Sequence, residues 1–153
     1  MIRKAGINDL ELLIKLRFDF LHSLNERIGA EKRRLLTDGL TAYFRAYLHS
    51  ADLVALLFEK ENTIAGTAFL IISHKPPHPL FVNGKTGTIQ NVLVYPPFRR
   101  QGIATQLINH LLREAKAVNI SLVDLYATPE GGILYRKLGF NPPLYENLRA
   151  IIE

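Results

Sequence analysis

No cysteine occurs in the 153 residues. That excludes a disulfide framework, a thiolate zinc site and a cysteine nucleophile, and with it a covalent thioester route. Long apolar runs are missing too. The longest, "AFLIIS", has the length of a strand, whereas a membrane span needs about 20 residues. The opening "MIRKAGINDLELL" lacks the uninterrupted apolar core and small-residue cleavage site of a secretion signal, so a cytoplasmic location is expected. Repeats, low-complexity tracts and interdomain linkers are absent, and the length suits one domain over residues 1–153. Hydrophobic residues at 48% and charged residues at 22% predict a packed globular chain.

The charge balance is 19 Lys and Arg against 14 Asp and Glu, or +5. The cations are scattered (Arg3, Lys4, Lys15, Arg17, Lys32 to Arg34, Arg99, Arg100, Arg113, Lys116) and no basic stripe interleaves with aromatics. This disfavours a nucleic-acid partner and favours a few cations serving a small phosphorylated ligand.

Periodicity predicts the elements. "MIRKA" reads as a strand. "INDLELLIKLRFDFLHSL" reads as a helix with Asn8 as N-cap and Glu11 completing a capping box. A second helix spans Glu31 to His49, although Gly39 falls inside it. "LVALLFEKENTIAGTAFLII" is a hairpin turning at Glu61 and Asn62. "TGTIQNVLVYPP" is a fourth strand, ended by prolines that cannot continue a ladder. A third helix follows Gly102, with Ile103, Leu107, Ile108, Leu111, Leu112, Ala115 and Val118 on one face. "SLVDLYAT" is a fifth strand, "GILYRKL" lies on a short helix capped by Gly139, and a terminal strand is expected near Leu144 to Ile152. The strand, helix, strand crossover after residue 86 requires parallel partners and the hairpin antiparallel ones. The fold class is therefore α/β, with a mixed sheet covered by helices on both faces.

"YPPFRRQGIATQLINHLL" carries the chemistry. A helix N-terminus offers unpartnered N–H groups and partial positive charge. Gly102 bares the backbone and Arg99 and Arg100 add fixed charge, which makes a phosphate or pyrophosphate site. A tight turn beside two solvated arginines is the alternative, and the residues alone leave both open. Neither the Gly-Lys-Ser/Thr phosphate loop nor a three-glycine dinucleotide fingerprint is present.

"RRQGIA" resembles the Arg/Gln-x-x-Gly-x-Gly/Ala signature of the GNAT superfamily, the acyl-CoA-dependent N-acetyltransferases, with Arg99, Gly102 and Ala104 at the defined positions. "LYRKLGF" at residues 134–140 resembles a second family motif, and "IRKAGINDLELLIKLR" resembles the family's first strand and helix. The resemblance implies a GNAT-like fold whose fourth and fifth strands splay apart. It implies acetyl-CoA as co-substrate, without a metal. The amides of Arg100, Gln101, Gly102, Ile103, Ala104 and Thr105 would cradle the pyrophosphate, and the main chain of Val92, Leu93 and Val94 would pair with the pantetheine arm. A bulge near Asn91 would polarise the thioester carbonyl, and Tyr135 would lie near the CoA sulfur. Thr128 stands where many members place a cofactor-contacting asparagine.

The resemblance implies direct transfer to a small-molecule or peptide amine in a ternary complex. No membrane partner is expected, and a homodimer is left open. Thr88, with Gln90 nearby, stands where some members hold a general-base glutamate, so His74, His78, Asp124 and Glu130 become the candidate bases. His74 and His78 share a proline-rich loop, and no helix bridges them into a metal pair. That missing glutamate motivates a second reading, a CoA-binding sensor without turnover. The acceptor segments, residues 20–40 and 73–87, offer Glu26, Glu31 and Asp38 for a cationic amine, with Asp19 beside them, and Phe81 and Tyr43 for an apolar moiety.

Overall fold

A computed structural model describes residues 1–153. The chain runs β1 (Ile2–Lys4), α1 (Leu10–Ser23), α2 (Ala30–Tyr47), β2 (Leu53–Lys60), β3 (Thr63–His74), β4 (Lys85–Val94), α3 (Ile103–Ala117), β5 (Val123–Leu125) and α4 (Pro129–Lys137). The five strands form one sheet in the order β1-β2-β3-β4-β5. The first three neighbouring pairs are antiparallel and β4 with β5 is parallel, as the crossover requires. Glu61 and Asn62 both adopt left-handed φ (52° and 60°), giving the two-residue hairpin turn whose twist matches its strands.

Each sheet face has its own core. Leu13 and Leu16 of α1 and Phe44 of α2 pack with Leu53, Ala55, Leu57 and Phe69 on one face. On the other face Ile103, Leu107, Ile108, Leu111 and Ala115 of α3 pack with Leu56, Ala68, Leu70 and Ile89. Tyr135 of α4 and Leu138, just past its end, join this second face. No helix is long and apolar enough to cross a membrane.

Three expectations are corrected. Asn8 is not the cap of α1. The chain makes a 3-10 turn over Ile7–Asp9, and Asp9 holds the N-cap position. The Asp9 carboxylate accepts from Gly6 N–H (2.9 Å) and the Arg3 guanidinium (2.8 Å), so the ion pair fixes the helix entry. Glu11 lies in the first turn, where the helix dipole favours it. Secondly, the terminal strand does not form. Leu144, Tyr145, Leu148, Ile151 and Ile152 are exposed coil. Pro142 and Pro143 remove two donors at its entry, and β5 offers an edge of only three residues. Thirdly, Val118 leaves the apolar face of α3. The helix ends in a Schellman turn with Asn119 left-handed, and Ile120 N–H reaches Ala115 O at 2.9 Å, so Ile120 is buried instead. Gly39 lies within α2 without interrupting it.

Candidate functional site

The site begins where β4 and β5 part. Their register covers only Gly87↔Val123, Thr88↔Asp124 and Ile89↔Leu125. Beyond it β4 continues to Val94 while the other chain turns away into Thr128 and α4, so residues 90–94 have no strand partner on the β5 side. At the same point β4 bulges against β3. Thr67 faces Leu93, Phe69 faces Gln90, and Asn91 takes a left-handed φ of 56°. The extra residue inverts the facing of the strand. Ile89 packs on the α3 side, Leu93 packs on the α1/α2 side, and Val92 and Val94 pack on the α3 side.

The connection from β4 to α3 is a 3-10 turn (Pro96–Phe98) and then Arg99 to Gly102. Arg100 and Gly102 both have left-handed φ (62° and 77°). Successive amides turned this way form a concave nest for an anion. The six N–H groups from Arg100 to Thr105 have no acceptor within the protein, and α3 has no side-chain cap. A Cβ built on Gly102 meets nothing within 4 Å, so the space before the nest is open. Arg99 and Arg100 are exposed beside it, and Arg99 Nε is tethered to Val94 O at 3.0 Å. Gln101 reaches away to Lys60 Nζ and Pro97 O, which keeps its side chain off the nest. Ile103 is buried and anchors the first turn of α3, and Ala104 adds little bulk. These residues fit a pyrophosphate: donors without partners, open approach and cationic flanks.

Tyr135 lies on α4, half-buried against the α3-side core that also receives Val92 and Val94. Its ring covers Gly131, where an added Cβ would come within 3.0 Å of it, and meets Phe140 edge-on at 6.2 Å. The turn at Gly139 (φ 99°) folds Phe140 N–H back onto Tyr135 O, which fixes that pair. The hydroxyl has no protein partner, and burial pushes its pKa above the ordinary tyrosine value. Thr128 is the N-cap of α4, its Oγ1 accepting from Gly131 N at 3.1 Å, which leaves its own proton free to donate. Tyr135 also lines an open cavity of about 1490 Å³ between β5, α4 and residues 140–148, while Val92 to Val94 and the α3 N-terminus do not border it. Tyr135 thus stands between the splay and the outer side of β5.

Of the four candidate bases, one is brought to the splay. Thr88 Oγ1 donates to Asp124 Oδ1 at 2.7 Å. Val123 and Leu125 pack toward α3, so Asp124 between them projects to the α1/α2 face. His74 instead pairs with Asp52 at 2.9 Å, at the end of β4 opposite the bulge. His78 accepts from Leu80 N–H and stacks on Phe81. Glu130 is exposed in the first turn of α4. Among the acceptor-site carboxylates, Asp19 is held by Lys15 and the Tyr95 hydroxyl, and Glu31 and Asp38 by Arg34.

Arg17 is one of the scattered cations of the sequence. The fold instead puts its guanidinium on Asn91 Oδ1, at the bulge (3.2 Å). The signal was available: Arg17 is i+4 from Leu13 and i+7 from Leu10, on the stripe that the helical period assigns to apolar residues.

The model of the acetyltransferase (GNAT) family matches residues 21–140. The uncharacterised N-acetyltransferase ycf52 of Porphyra purpurea is 26% identical over 120 residues, 78% of this chain and 62% of that protein. The chain thus spans less than two thirds of that relative's length. A predicted acetyltransferase from Clostridium acetobutylicum, crystallised with acetyl-CoA, superposes with a TM-score of 0.87 at 31% identity, covering 97% of this chain and 95% of that one. Glucosamine-6-phosphate N-acetyltransferase from Arabidopsis thaliana superposes with a TM-score of 0.70 at 25% identity, covering 99% and 98%. By the family match over residues 21–140 and the 31% identity to a solved acetyltransferase along almost its whole length, the chain belongs to the acetyltransferase (GNAT) family.

Proposed function

We propose that the protein is an acetyl-CoA-dependent N-acetyltransferase that moves the acetyl group directly to a primary amine. The observation that carries this reading is the run of six unpartnered amides, Arg100 to Thr105, opening beside the unpaired end of β4. The nest binds the pyrophosphate, Arg99 and Arg100 pair with phosphate oxygens, and the free edge of Val92 to Val94 takes the pantetheine amides. The thioester supplies an activated acetyl group. The acceptor nitrogen bonds to the carbonyl carbon, the C–S bond breaks, and the sulfur leaves with the bonding pair. Amides at the Asn91 bulge polarise the carbonyl oxygen. Tyr135 supplies a proton to the departing sulfur.

The incoming ammonium must also lose a proton. Thr88 and Asp124 form the relay: the Thr88 hydroxyl accepts from the amine while handing its own proton to the Asp124 carboxylate, along the 2.7 Å hydrogen bond already formed. A carboxylate from β5 thereby occupies the place that a β4 glutamate would fill. Asp124→Asn is expected to lower kcat about 10- to 100-fold near pH 7. The defect should shrink as the pH nears the acceptor's own pKa, because the amine then arrives neutral. A pH–rate profile measured on the variant checks this, and an unchanged profile assigns deprotonation elsewhere.

Changing Arg99 and Arg100 together to alanine is expected to weaken CoA about 5- to 30-fold, two exposed charge pairs at about 0.5–1 kcal/mol each. A short pantetheine thioester, lacking phosphates, should lose little. Calorimetry with both ligands checks this, and equal losses would mean that the arginines serve the fold. The function as a whole is tested by free-thiol release from acetyl-CoA against a panel of amines. CoA binding with no turnover on any amine would favour a sensor.

A further inference from the structure

The cation at the bulge has no counter-ion. Arg17 is half-buried on α1 and forms no salt bridge, whereas Arg3, Lys4, Lys15 and Arg34 all hold carboxylates. One of its five N–H groups donates to Asn91 Oδ1 at 3.2 Å, and the others find no protein acceptor. Phe20 lies beneath it at 5.8 Å. Burial draws its pKa below the ordinary arginine value, while the carboxylates beside Arg3 and Lys15 raise theirs. The neighbouring Tyr43 phenol is itself held protonated by burial, so it supplies no anion near neutral pH. Asn91 is 1% exposed with its amide Nδ2 unpartnered, so the polar group beneath the guanidinium is also short of an acceptor. A cation drawn away from water without an anion is unfavourable in the free protein, and an anionic ligand relieves it.

Position adds the rest. Arg17 and Asn91 lie at the bulge, on the α1/α2 side of the sheet, the side to which Thr88 and Asp124 project. Three residue steps along the strand take Thr88 to Asn91, about 10 Å. The α3 side of the same gap carries the amide nest and Tyr135. We propose that Arg17 is the acceptor anchor, and that the acceptor is a small amine that also bears a carboxylate or phosphate, whose anion sits in the Arg17 fork while its nitrogen faces Thr88. This rests on the acetyltransferase reading of the site. A planar fork of donors suits either anion in bidentate fashion.

The test uses matched acceptors. L-Amino acids, β-alanine and 4-aminobutyrate are each compared with their carboxamides, and O-phosphoethanolamine with ethanolamine, in the wild-type protein, Arg17→Gln and Arg17→Lys. At least one anionic acceptor should exceed its neutral twin about 10- to 100-fold in kcat/KM, chiefly through KM, as expected for a charge-assisted hydrogen-bonded pair. Carboxylate and phosphate arms identify the preferred anion. Arg17→Gln should bring that ratio to near unity, and Arg17→Lys should restore part of it; the ratio of anionic to neutral twin within each variant cancels any change at the Asn91 bulge that both acceptors share. Neutral twins acetylated as well as anionic ones, or a ratio that survives Arg17→Gln, would overturn the proposal while the acetyltransferase reading stands. Calorimetric titration of the same anionic acceptors into the CoA-loaded protein reads Arg17 without turnover, and absence of saturable binding also overturns it. Failure of CoA itself to bind would instead overturn the reading of the site.

Discussion

Gly102→Glu is expected to abolish CoA binding, lowering affinity more than 100-fold, while the protein remains folded. The two halves of that expectation have separate causes. The Cβ of any residue at 102 enters open space, with no atom within 4 Å, so no clash opposes the change. The φ of 77° is the left-handed region, and a side chain there costs about 1–2 kcal/mol. For a domain of this size that is a fall in Tm of about 2–8 °C. The carboxylate, however, points into the space before six unpartnered amides and occupies it with the wrong charge for a pyrophosphate. Gly102→Ala separates the two effects, because it carries the same backbone strain with neither length nor charge, and should bind CoA far better than the glutamate variant. Calorimetric titration alongside thermal melting checks both. A folded Gly102→Glu protein with unchanged CoA affinity would remove the nest from the binding site.

What could be read in the sequence was local or periodic. The hairpin at Glu61 and Asn62, the left-handed Gly139 and the exposed N-terminus of α3 are each encoded within a few residues, the parallel β4 and β5 follow from the order of elements between them, and each is present. The bulge at Asn91 was expected from the family resemblance, and nothing in "IQNVLV" alone requires it. What escaped depends on register between distant segments. The pairing of Thr88 with Asp124 spans 36 residues, and that of Arg17 with Asn91 spans 74. Asp124 alternates with Val123 and Leu125 along β5, but only the β4–β5 register shows which hydroxyl it meets. The expected terminal strand failed for a related reason. The expectation for Leu144 to Ile152 concerned one segment alone, and a strand also needs an edge to pair with. Asp9 rather than Asn8 marks the helix start because Arg3, on another element, and Gly6 N–H together hold its carboxylate.

Tyr135→Phe distinguishes an enzyme from a protein that only binds CoA. The ring is what packs: it covers Gly131, meets Phe140 edge-on and fills part of the α3-side core. The hydroxyl has no partner in the protein, so its removal leaves no orphaned group and stability should change by less than about 1 kcal/mol. CoA affinity should be nearly unchanged, because the hydroxyl is needed when the sulfur gains charge and little before. Turnover should fall about 10- to 1000-fold, the range for losing one acid or one strong donor. Equal falls in kcat and kcat/KM would place the loss in the transition state. Burial raises the phenol's pKa, so it keeps its proton throughout neutral and mildly alkaline solution. In the wild-type protein the alkaline limb that reports loss of this acid should therefore lie above the ordinary tyrosine value, and in Tyr135→Phe it should vanish. An acyl donor with a more acidic thiol needs less help in leaving, and should narrow the gap between the two proteins. Full activity in Tyr135→Phe would leave protonation of the sulfur to solvent, and a large loss of CoA affinity or of folding would make Tyr135 a packing residue.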